Sequence, residues 1–184
     1  MTTLRQQEMI QTKRLYLSTR RKRRYFLDTF IVTGISIFFW LLIAKGFVYK
    51  EGYYRSPYLV IFIVLPLMAG LLYLHQKNSL RLVELETSLS KQDNYKAVKA
   101  TLQELKWQIK VDNKGFIEAY TDNFGIFTWA DQMFSVVITD GRIFINSICN
   151  VDTYATQAIS WGQNTRNVRR FTQTFEHLST MQFS

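Results

Sequence analysis

Two long apolar runs dominate the first half of the chain. The first, FLDTFIVTGISIFFWLLIAKGFV, covers residues 26–48 and carries charge only near its ends, at Asp28 and Lys45. The second, PYLVIFIVLPLMAGLLYL, covers residues 57–74 and carries no charge. A helix needs about 20 predominantly apolar residues to cross the hydrocarbon core of a bilayer. The pattern therefore predicts a two-helix transmembrane hairpin at residues 25–75.

The apolar pattern changes after this hairpin. Residues 76–89 are mostly polar and predict a helical connector. From residue 90 onward, apolar residues recur at steps of three and four, which indicates a helix with one buried face. These residues are Tyr95, Val98, Leu102 and Leu105. Ser90, three residues before Asp93, is the expected N-cap of this helix.

The apolar spacing then drops to two, which is typical of strands. Trp107, Ile109 and Val111 alternate with polar residues, and we expect all three on one face of a strand. DNKG at residues 112–115 predicts a turn into a second strand at residues 116–121. NFGIFTWADQ at residues 123–132 is less regular and predicts either a strand with a bulge or a broad turn. Asp140-Gly141 lies between two β-rich runs and predicts a tight hairpin.

The end of the chain predicts one short strand and one helix. QAISWG at residues 157–162 is the candidate strand, and QNTRNVRRFTQTFEHL is the closing helix. The apolar face of this helix consists of Val168, Phe171, Phe175 and Leu178. Helices packed on one face of an antiparallel sheet form an α+β domain. We predict four parts, namely a basic arm (1–24), the hairpin (25–75), the connector (76–89) and a cytosolic α+β domain (90–184).

Positive charge is concentrated just before the first apolar run. Residues 1–24 carry eight Lys or Arg and one acid, whereas residues 90–184 carry ten Lys or Arg and nine acids. The densest stretch consists of Arg20, Arg21, Lys22, Arg23 and Arg24. Basic residues beside a membrane segment stay on the cytoplasmic side, so both termini are expected in the cytoplasm. The same cluster attracts anionic lipid headgroups, and the nearly neutral C-terminal half argues against a nucleic-acid partner.

The conformation of the basic arm is less defined by its sequence. Leu4, Ile10, Leu15 and Leu17 give only a ragged apolar stripe on a predicted polar helix. Such a helix can lie on the membrane surface, continue the first membrane helix into the cytosol, or dock on a partner. The sequence leaves all three arrangements open.

Groups that could carry chemistry are few. The single cysteine, Cys149, excludes an intramolecular disulfide. Together with His75 and His177 it does not provide the spacing of a zinc site. Cys149 ends an apolar run with no histidine nearby, so a buried cysteine is expected. We therefore expect no metal, no cofactor and no enzymatic activity.

Two surfaces are candidates for binding a partner or a ligand. Trp129 and Asp131 form the first, because Asp131 lacks the turn role that explains Asp112 and Asp140. The second is SWGQNTRNVRR, where Gly162 precedes a helix whose free N–H groups favour an anion. The basic residues of this surface are Arg166, Arg169 and Arg170.

The cytosolic half resembles a known group of domains. WQIKVDNKGFIEAYTDNFGIFTWADQMFSVVITDGRIFINSI, followed by SWGQNTRNVRRF, is similar to uncharacterised bacterial α+β domains. In those domains an IEA strand, an aromatic-Asp step, a hairpin and a closing G-x-N-x-x-x-V helix recur in that order. Two membrane helices ahead of such a domain resemble small Bacteroidota-type membrane proteins. The resemblance covers about half of the chain, supports the fold, and implies no particular activity.

These observations favour a small integral inner-membrane protein that serves as an accessory or scaffolding subunit. Its cytosolic domain would contact other proteins of a membrane complex, or a second copy of the chain. The alternative is a membrane-anchored module that binds a lipid or a small ligand. In that case the sheet and the closing helix would surround an apolar cavity, with Arg166, Arg169 and Arg170 near its mouth.

Overall fold

The fold combines helices with one antiparallel sheet, as the sequence predicts. A computed structural model describes residues 3–48, 56–121, 131–153 and 162–183. The helices are α1 (Thr3–Thr12), α2 (Thr19–Tyr25), α3 (Leu27–Val48), α4 (Ser56–Ser79), α5 (Lys91–Glu104) and α6 (Gln163–Phe183). The strands are β1 (Val83–Glu86), β2 (Gln108–Asn113), β3 (Phe116–Thr121), β4 (Gln132–Ile138) and β5 (Arg142–Cys149). The chain is therefore an α+β protein.

The five strands follow the order β1-β5-β4-β3-β2, and every neighbouring pair is antiparallel. Strands β2 to β5 form a meander of consecutive hairpins. Strand β1 pairs with β5 from Val83↔Ile145 to Glu86↔Arg142. The prediction of a helical connector at residues 76–89 is therefore wrong for its second half. Four residues, VELE, pair with β5 there, because β5 would otherwise leave its backbone hydrogen-bonding groups unpaired at the sheet edge.

A β-bulge changes which way the first predicted strand faces. Ile109 pairs with Ala119, but Val111 pairs with Glu118, so Lys110 is an extra residue in β2. An extra residue moves the following side chains to the opposite face of a sheet. Trp107 and Ile109 accordingly pack with α5 and α6, whereas Val111 packs on the other side. The expectation of one shared face for these residues is wrong at Val111.

The hairpin at Asp140-Gly141 forms as predicted. Ile138 pairs with Ile143, and the N–H of Thr139 donates to the carbonyl of Arg142 at 3.0 Å. Gly141 has φ of +67°, a left-handed conformation that residues with a Cβ rarely adopt. The carboxylate of Asp140 accepts a hydrogen bond of 2.8 Å from the N–H of Lys91. Asp140 therefore also satisfies a free N–H at the start of α5.

One face of the sheet, the inner face, is covered by α5 and α6. Ser90 caps α5 by accepting from the N–H of Asp93, as expected. Phe171 stacks on Phe175 with centroids 5.9 Å apart and lies 4.8 Å from the ring of Phe134. The other apolar side chains of this cluster are aliphatic, apart from Trp107. This face is an apolar core between the sheet and the two helices.

The opposite face, the outer face, is also covered. Met9, Leu15 and Leu17 of the N-terminal arm are buried against it. Sheet residues of this face include Phe116, Met133, Val137, Phe144 and Ile148. Helices on a single face were expected, and the structure differs because β4 and most of β5 are apolar on both sides. A sheet with two apolar faces needs a cover on each.

The arm therefore docks within its own chain, which is none of the three arrangements left open by the sequence. Helix α1 is followed by an extended segment, in which the N–H of Leu15 donates to the carbonyl of Leu80 at 2.8 Å. The N–H of Leu82 donates to the carbonyl of Lys13 at 2.9 Å. The arm is thus tied to the chain that links α4 to β1.

Helices α3 and α4 pack against each other and run antiparallel. The ring of Phe26, just before α3, lies 5.6 Å from the ring of Tyr73 near the end of α4. Residues Leu27–Lys45 are long and apolar enough to cross a membrane, with a mean hydropathy of 2.0, and only 11% of the most apolar window is buried. The low burial distinguishes α3 from the core helix of a soluble protein. The side chains of residues 57–62, at the start of the second apolar run, lie outside the described part of the structure.

Candidate functional site

The described residues of greatest functional interest lie where α3 and α4 meet the outer face of the sheet. We call this region the junction. Arg21 of α2 provides its central ion pair. Its two terminal nitrogens donate to the two carboxylate oxygens of Glu118 at 2.8 and 2.9 Å, and its Nε donates to Asp152 at 3.0 Å. Glu118 lies in β3 and is 3% exposed, so its charge depends on Arg21 for compensation.

Other groups complete this ionic cluster. Arg21 holds the pKa of Asp152 below its usual range by donating hydrogen bonds to the carboxylate. The hydroxyl of Tyr120 donates to Asp152 at 2.8 Å. Burial raises the pKa of Tyr120, and this hydrogen bond raises it further. The guanidinium of Arg24 donates to the carbonyl of Asp152 at 2.9 Å. Arg21 and Arg24 thus attach α2, which directly precedes α3, to β3 and to the turn after β5.

A polar row crosses the otherwise apolar outer face. Glu118, Ser135 and Asn146 occupy paired positions on β3, β4 and β5, and all three are buried. The side-chain amide of Asn146 donates to the carbonyls of Ser79 and Arg81, at 2.9 and 2.6 Å. The row therefore contacts the chain just before α3 through Arg21 and the chain just after α4 through Asn146.

A second polar contact joins the bases of the two helices. Gln76 in α4 is fully buried and accepts a hydrogen bond of 2.6 Å from the hydroxyl of Thr29 in α3. Its amide donates to the carbonyl of Tyr25 at 2.8 Å. The hydroxyl of Tyr25 donates to the carbonyl of Gln76 at 3.1 Å. These bonds fix the helices relative to each other at the end nearest the sheet.

A cleft of about 560 Å³ opens between the arm and these helix bases. Its basic lining residues are Arg14, Lys22, Arg23 and Lys77, and Glu8 is the acid among them. Phe26, Phe30 and Tyr73 contribute an aromatic wall, together with Met9, Leu15 and Leu80. The cleft combines an excess of positive charge with an apolar wall that continues into α3 and α4.

The residues predicted as functional are distributed over both faces. Of the cluster at residues 20–24, Arg21 and Arg24 bind the domain, while Lys22 and Arg23 line the cleft. Arg20 is exposed. Trp129 lies outside the described residues, and Asp131 is half-buried just before β4. Arg166, Arg169 and Arg170 are exposed on α6, over the inner face, so the structure does not bring them to the basic cluster.

The other candidate groups have local surroundings that can be described. Cys149 is buried at the end of β5, and burial raises the pKa of its thiol, whereas a nucleophilic cysteine needs a lowered pKa. Asp112 lies in β2, where it accepts hydrogen bonds from Tyr95 at 2.7 Å and from Lys99 at 2.9 Å. Among the described residues, no group of three or more His, Cys, Asp or Glu is placed to hold a metal ion.

Sequence reasoning did not find Glu118, Asn146 or Gln76. A signal was present for the first two, since each is a polar residue that follows apolar neighbours within a strand, in FIEAYT and RIFINSIC. Buried polar groups in such positions need partners. Their partners are distant in sequence, since Arg21 and Glu118 are 97 positions apart. The sequence therefore indicates that Glu118 and Asn146 are unusual positions, but it does not identify the groups to which they bond.

Comparison with known proteins finds no family model and no curated protein that matches the chain.

Proposed function

We propose that this chain is a membrane-anchored accessory or scaffolding subunit without catalytic activity of its own. In this proposal α3 and α4 cross the bacterial inner membrane as a hairpin, and both termini lie in the cytoplasm. The sheet and its helices then form a cytosolic domain that contacts other proteins of a membrane complex. The observation that carries the proposal is the apolar surface of α3 together with the hydrogen bonds that attach the base of this helix to the sheet.

The surface of α3 is unsuited to water. Several of its large apolar side chains are exposed, among them Phe30, Ile35, Phe38, Trp40 and Leu41. Exposed apolar residues also occur on the described part of α4, including Ile63, Leu67, Met68, Leu71 and Leu74. Patches of this kind mark membrane or protein contacts. The two helices together favour a bilayer hairpin, and the basic residues at its base favour a cytoplasmic location for that end.

The junction supports a scaffolding role. A flexible tether would suffice to anchor a domain, but here Arg21 and Asn146 connect the chain at the two helix bases to the sheet through part-buried hydrogen bonds. Gln76 joins the two helix bases to each other through buried hydrogen bonds. Hydrogen bonds away from solvent are electrostatically stronger than the same bonds in water, and these contacts lie at separate points around the bases of α3 and α4. The domain would therefore be held at a defined distance and orientation from the membrane surface, which is the property a scaffold needs.

The second candidate function is a lipid-binding module. The location first considered, between the sheet and the closing helix, is filled by Phe134, Phe171, Phe175 and Trp107. The cleft on the outer face provides the positive charge and the apolar wall that a lipid requires. This observation favours a lipid site on the same membrane-anchored protein. The site would lie in the cleft on the outer face, and not between the sheet and the closing helix.

Cysteine accessibility tests the proposed topology. In a Cys149→Ala background, Lys50→Cys should react with a membrane-impermeant maleimide added to intact cells, and Ser184→Cys should react only after permeabilisation. Labelling of Ser184→Cys in intact cells would place the C-terminus outside and contradict the proposal. Release of the protein from membranes by alkaline carbonate would contradict the membrane hairpin itself.

The accessory role has a separate test. Extraction of the full chain in a mild detergent should yield a complex larger than the monomer, and in-cell crosslinking should join the chain to one other membrane protein. A lone monomer with no crosslinked product would show that the chain is not a subunit of a stable assembly.

A further inference from the structure

We propose that the cleft of the junction binds the headgroup of an anionic glycerophospholipid from the cytoplasmic leaflet. Lys22, Arg23 and Lys77 would contact the phosphate, and Phe30 and Tyr73 would lie along the start of the acyl chains. This inference rests on the proposed function, because a lipid reaches the cleft only if α3 and α4 lie in a bilayer.

The first argument is the division of the basic cluster into two sets. Arg21 and Arg24 lie three positions apart on α2, and both bind the protein, through Glu118, Asp152 and backbone carbonyls. Lys22 and Arg23 line the cleft instead, and neither forms an ion pair within the described part of the chain. If the basic cluster served only to orient the membrane helices, positive charge alone would suffice, and its residues would not need to divide between the protein and the cleft. The second set is therefore available for an anion.

The second argument is where the cleft lies along the helices. Lys22 and Arg23 precede α3 by a few residues, and Lys77 lies in the last turn of α4. Because α3 and α4 are antiparallel, these three cations lie at the same end of the hairpin. That end is the expected level of the cytoplasmic headgroups, where each basic residue attracts anionic lipid.

The third argument is the apolar wall, which selects a lipid over a soluble anion. Phe30 is 58% exposed and Tyr73 is 44% exposed, and both line the cleft beside the cations. A phosphate ion gains nothing from aromatic rings, whereas a glycerol backbone with acyl chains covers them and continues along α3 and α4. The cleft lining has four basic residues, Arg14, Lys22, Arg23 and Lys77, and one acid, Glu8. This excess of positive charge would repel the cationic group of a zwitterionic headgroup, so an anionic headgroup is favoured.

Lipid selectivity of the full chain provides the test. The protein is reconstituted into nanodiscs of phosphatidylcholine containing a minor fraction of phosphatidylglycerol, and the retained lipids are measured by native mass spectrometry after gentle release. We compare the wild type with Lys22→Gln/Arg23→Gln/Lys77→Gln. The matched control is Arg166→Gln/Arg169→Gln/Arg170→Gln, which removes the same charge from exposed positions on α6.

The wild type and the α6 control should retain phosphatidylglycerol over phosphatidylcholine by about tenfold or more, and the cleft variant should lose this preference. Equal loss in both variants would indicate bulk charge attraction and overturn the inference. Glycerol phosphate that displaces the lipid at equal concentration would overturn it too, because the site would then bind the free anion. A wild type that inserts but shows no preference removes the lipid site alone. A wild type that fails to insert removes the proposed function as well.

Discussion

The two faces of the sheet are covered by different kinds of contact. On the inner face, α5 and α6 are close in sequence to the strands they cover and bury an apolar core with stacked phenylalanines. On the outer face, the cover comes from the N-terminal arm and includes the polar row and the Arg21 ion pairs. Apolar contacts tolerate small shifts, whereas bidentate ion pairs require one geometry. We therefore expect the inner face to contribute mainly to stability, whereas the outer face, which adds ion pairs to an apolar cover of its own, also fixes the position of α3 and α4.

The largest expected effect is on the inner face. Phe171→Ala should lower the free energy of unfolding by about 3–5 kcal/mol, because Phe171 is fully buried and the change leaves a cavity. The measurement is denaturant unfolding of the full chain in detergent, followed by the fluorescence of Trp107 with the other three tryptophans replaced by Phe. Met181→Ala, on the same helix but 68% exposed, is the matched control and should change the value by less than about 0.5 kcal/mol.

Phe171→Ala also tests whether the two faces of the sheet unfold independently. The cavity lies on the α6 side of the sheet, so the arm should keep its docked position and its resistance to protease under native conditions. Release of the arm in Phe171→Ala would show that the two faces unfold as one unit, and that the division between stability and positioning is wrong.

The second prediction concerns the outer face. Arg21→Met should destabilise the docked arm by about 2–3 kcal/mol, because it leaves the buried carboxylate of Glu118 without a partner. Arg20→Met removes the same charge from an exposed neighbour and is the control. The readout is the rate at which protease cleaves the arm, together with the unfolding midpoint.

A double variant tests whether the loss of stability comes from the unpaired carboxylate of Glu118. Arg21→Met/Glu118→Met should recover most of the lost stability, since replacing both members of a buried pair by apolar residues is often neutral. If the double variant is as unstable as Arg21→Met, the loss does not come from an uncompensated Glu118.

The same difference between the faces explains which parts of the fold the sequence could predict. Helix α5, strands β3 to β5 and helix α6 follow from local periodicity, capping and turn residues, and they build the inner face. The docking of the arm could not be predicted in this way, because Met9, Leu15 and Leu17 pack on strands more than a hundred residues later. A ragged apolar stripe does not reveal which surface it meets.

Two local errors have equally physical causes. The sequence does not predict strand β1, because VELE is short and acidic and is a strand only through its pairing with β5. The alternation in the sequence predicts the wrong face for Val111, because it contains no sign of the bulge at Lys110. Of the candidate site, the basic cluster was found from its charge, but its division between the domain and the cleft depends on the three-dimensional direction of each side chain.

The third prediction tests the turn that joins β4 to β5. Gly141→Val should cost about 1–2 kcal/mol, because φ of +67° is unfavourable for a β-branched residue. Steric overlap is a minor contribution, since the nearest atom to an added Cβ is the carbonyl oxygen of Thr87 at 3.6 Å. Gly141→Asn is the control and should cost less, because Asn tolerates the left-handed region. Equal losses for Val and Asn would mean that backbone strain does not determine the effect.

The smallest expected effect is the response of the outer face to acid. The pKa of Asp152 is lower in the folded protein than in the unfolded chain, because Arg21 donates hydrogen bonds to its carboxylate. The stabilisation is therefore complete above the unfolded pKa, about 3.9, and is lost as the pH falls through the folded value. The side chain is 40% exposed, so we expect less than about 1 kcal/mol. Glu84, Asp93 and Asp112 also have lowered pKa values and contribute to acid sensitivity elsewhere in the domain.

The measurement is consequently a difference, in which unfolding free energies of the wild type and Asp152→Asn are compared from pH 7 to pH 3. The gap between the two should be constant down to about pH 5 and should narrow below pH 4. A gap that stays constant across the whole range would show that Asp152 is not coupled to Arg21, and the outer face would then rely on Glu118 alone.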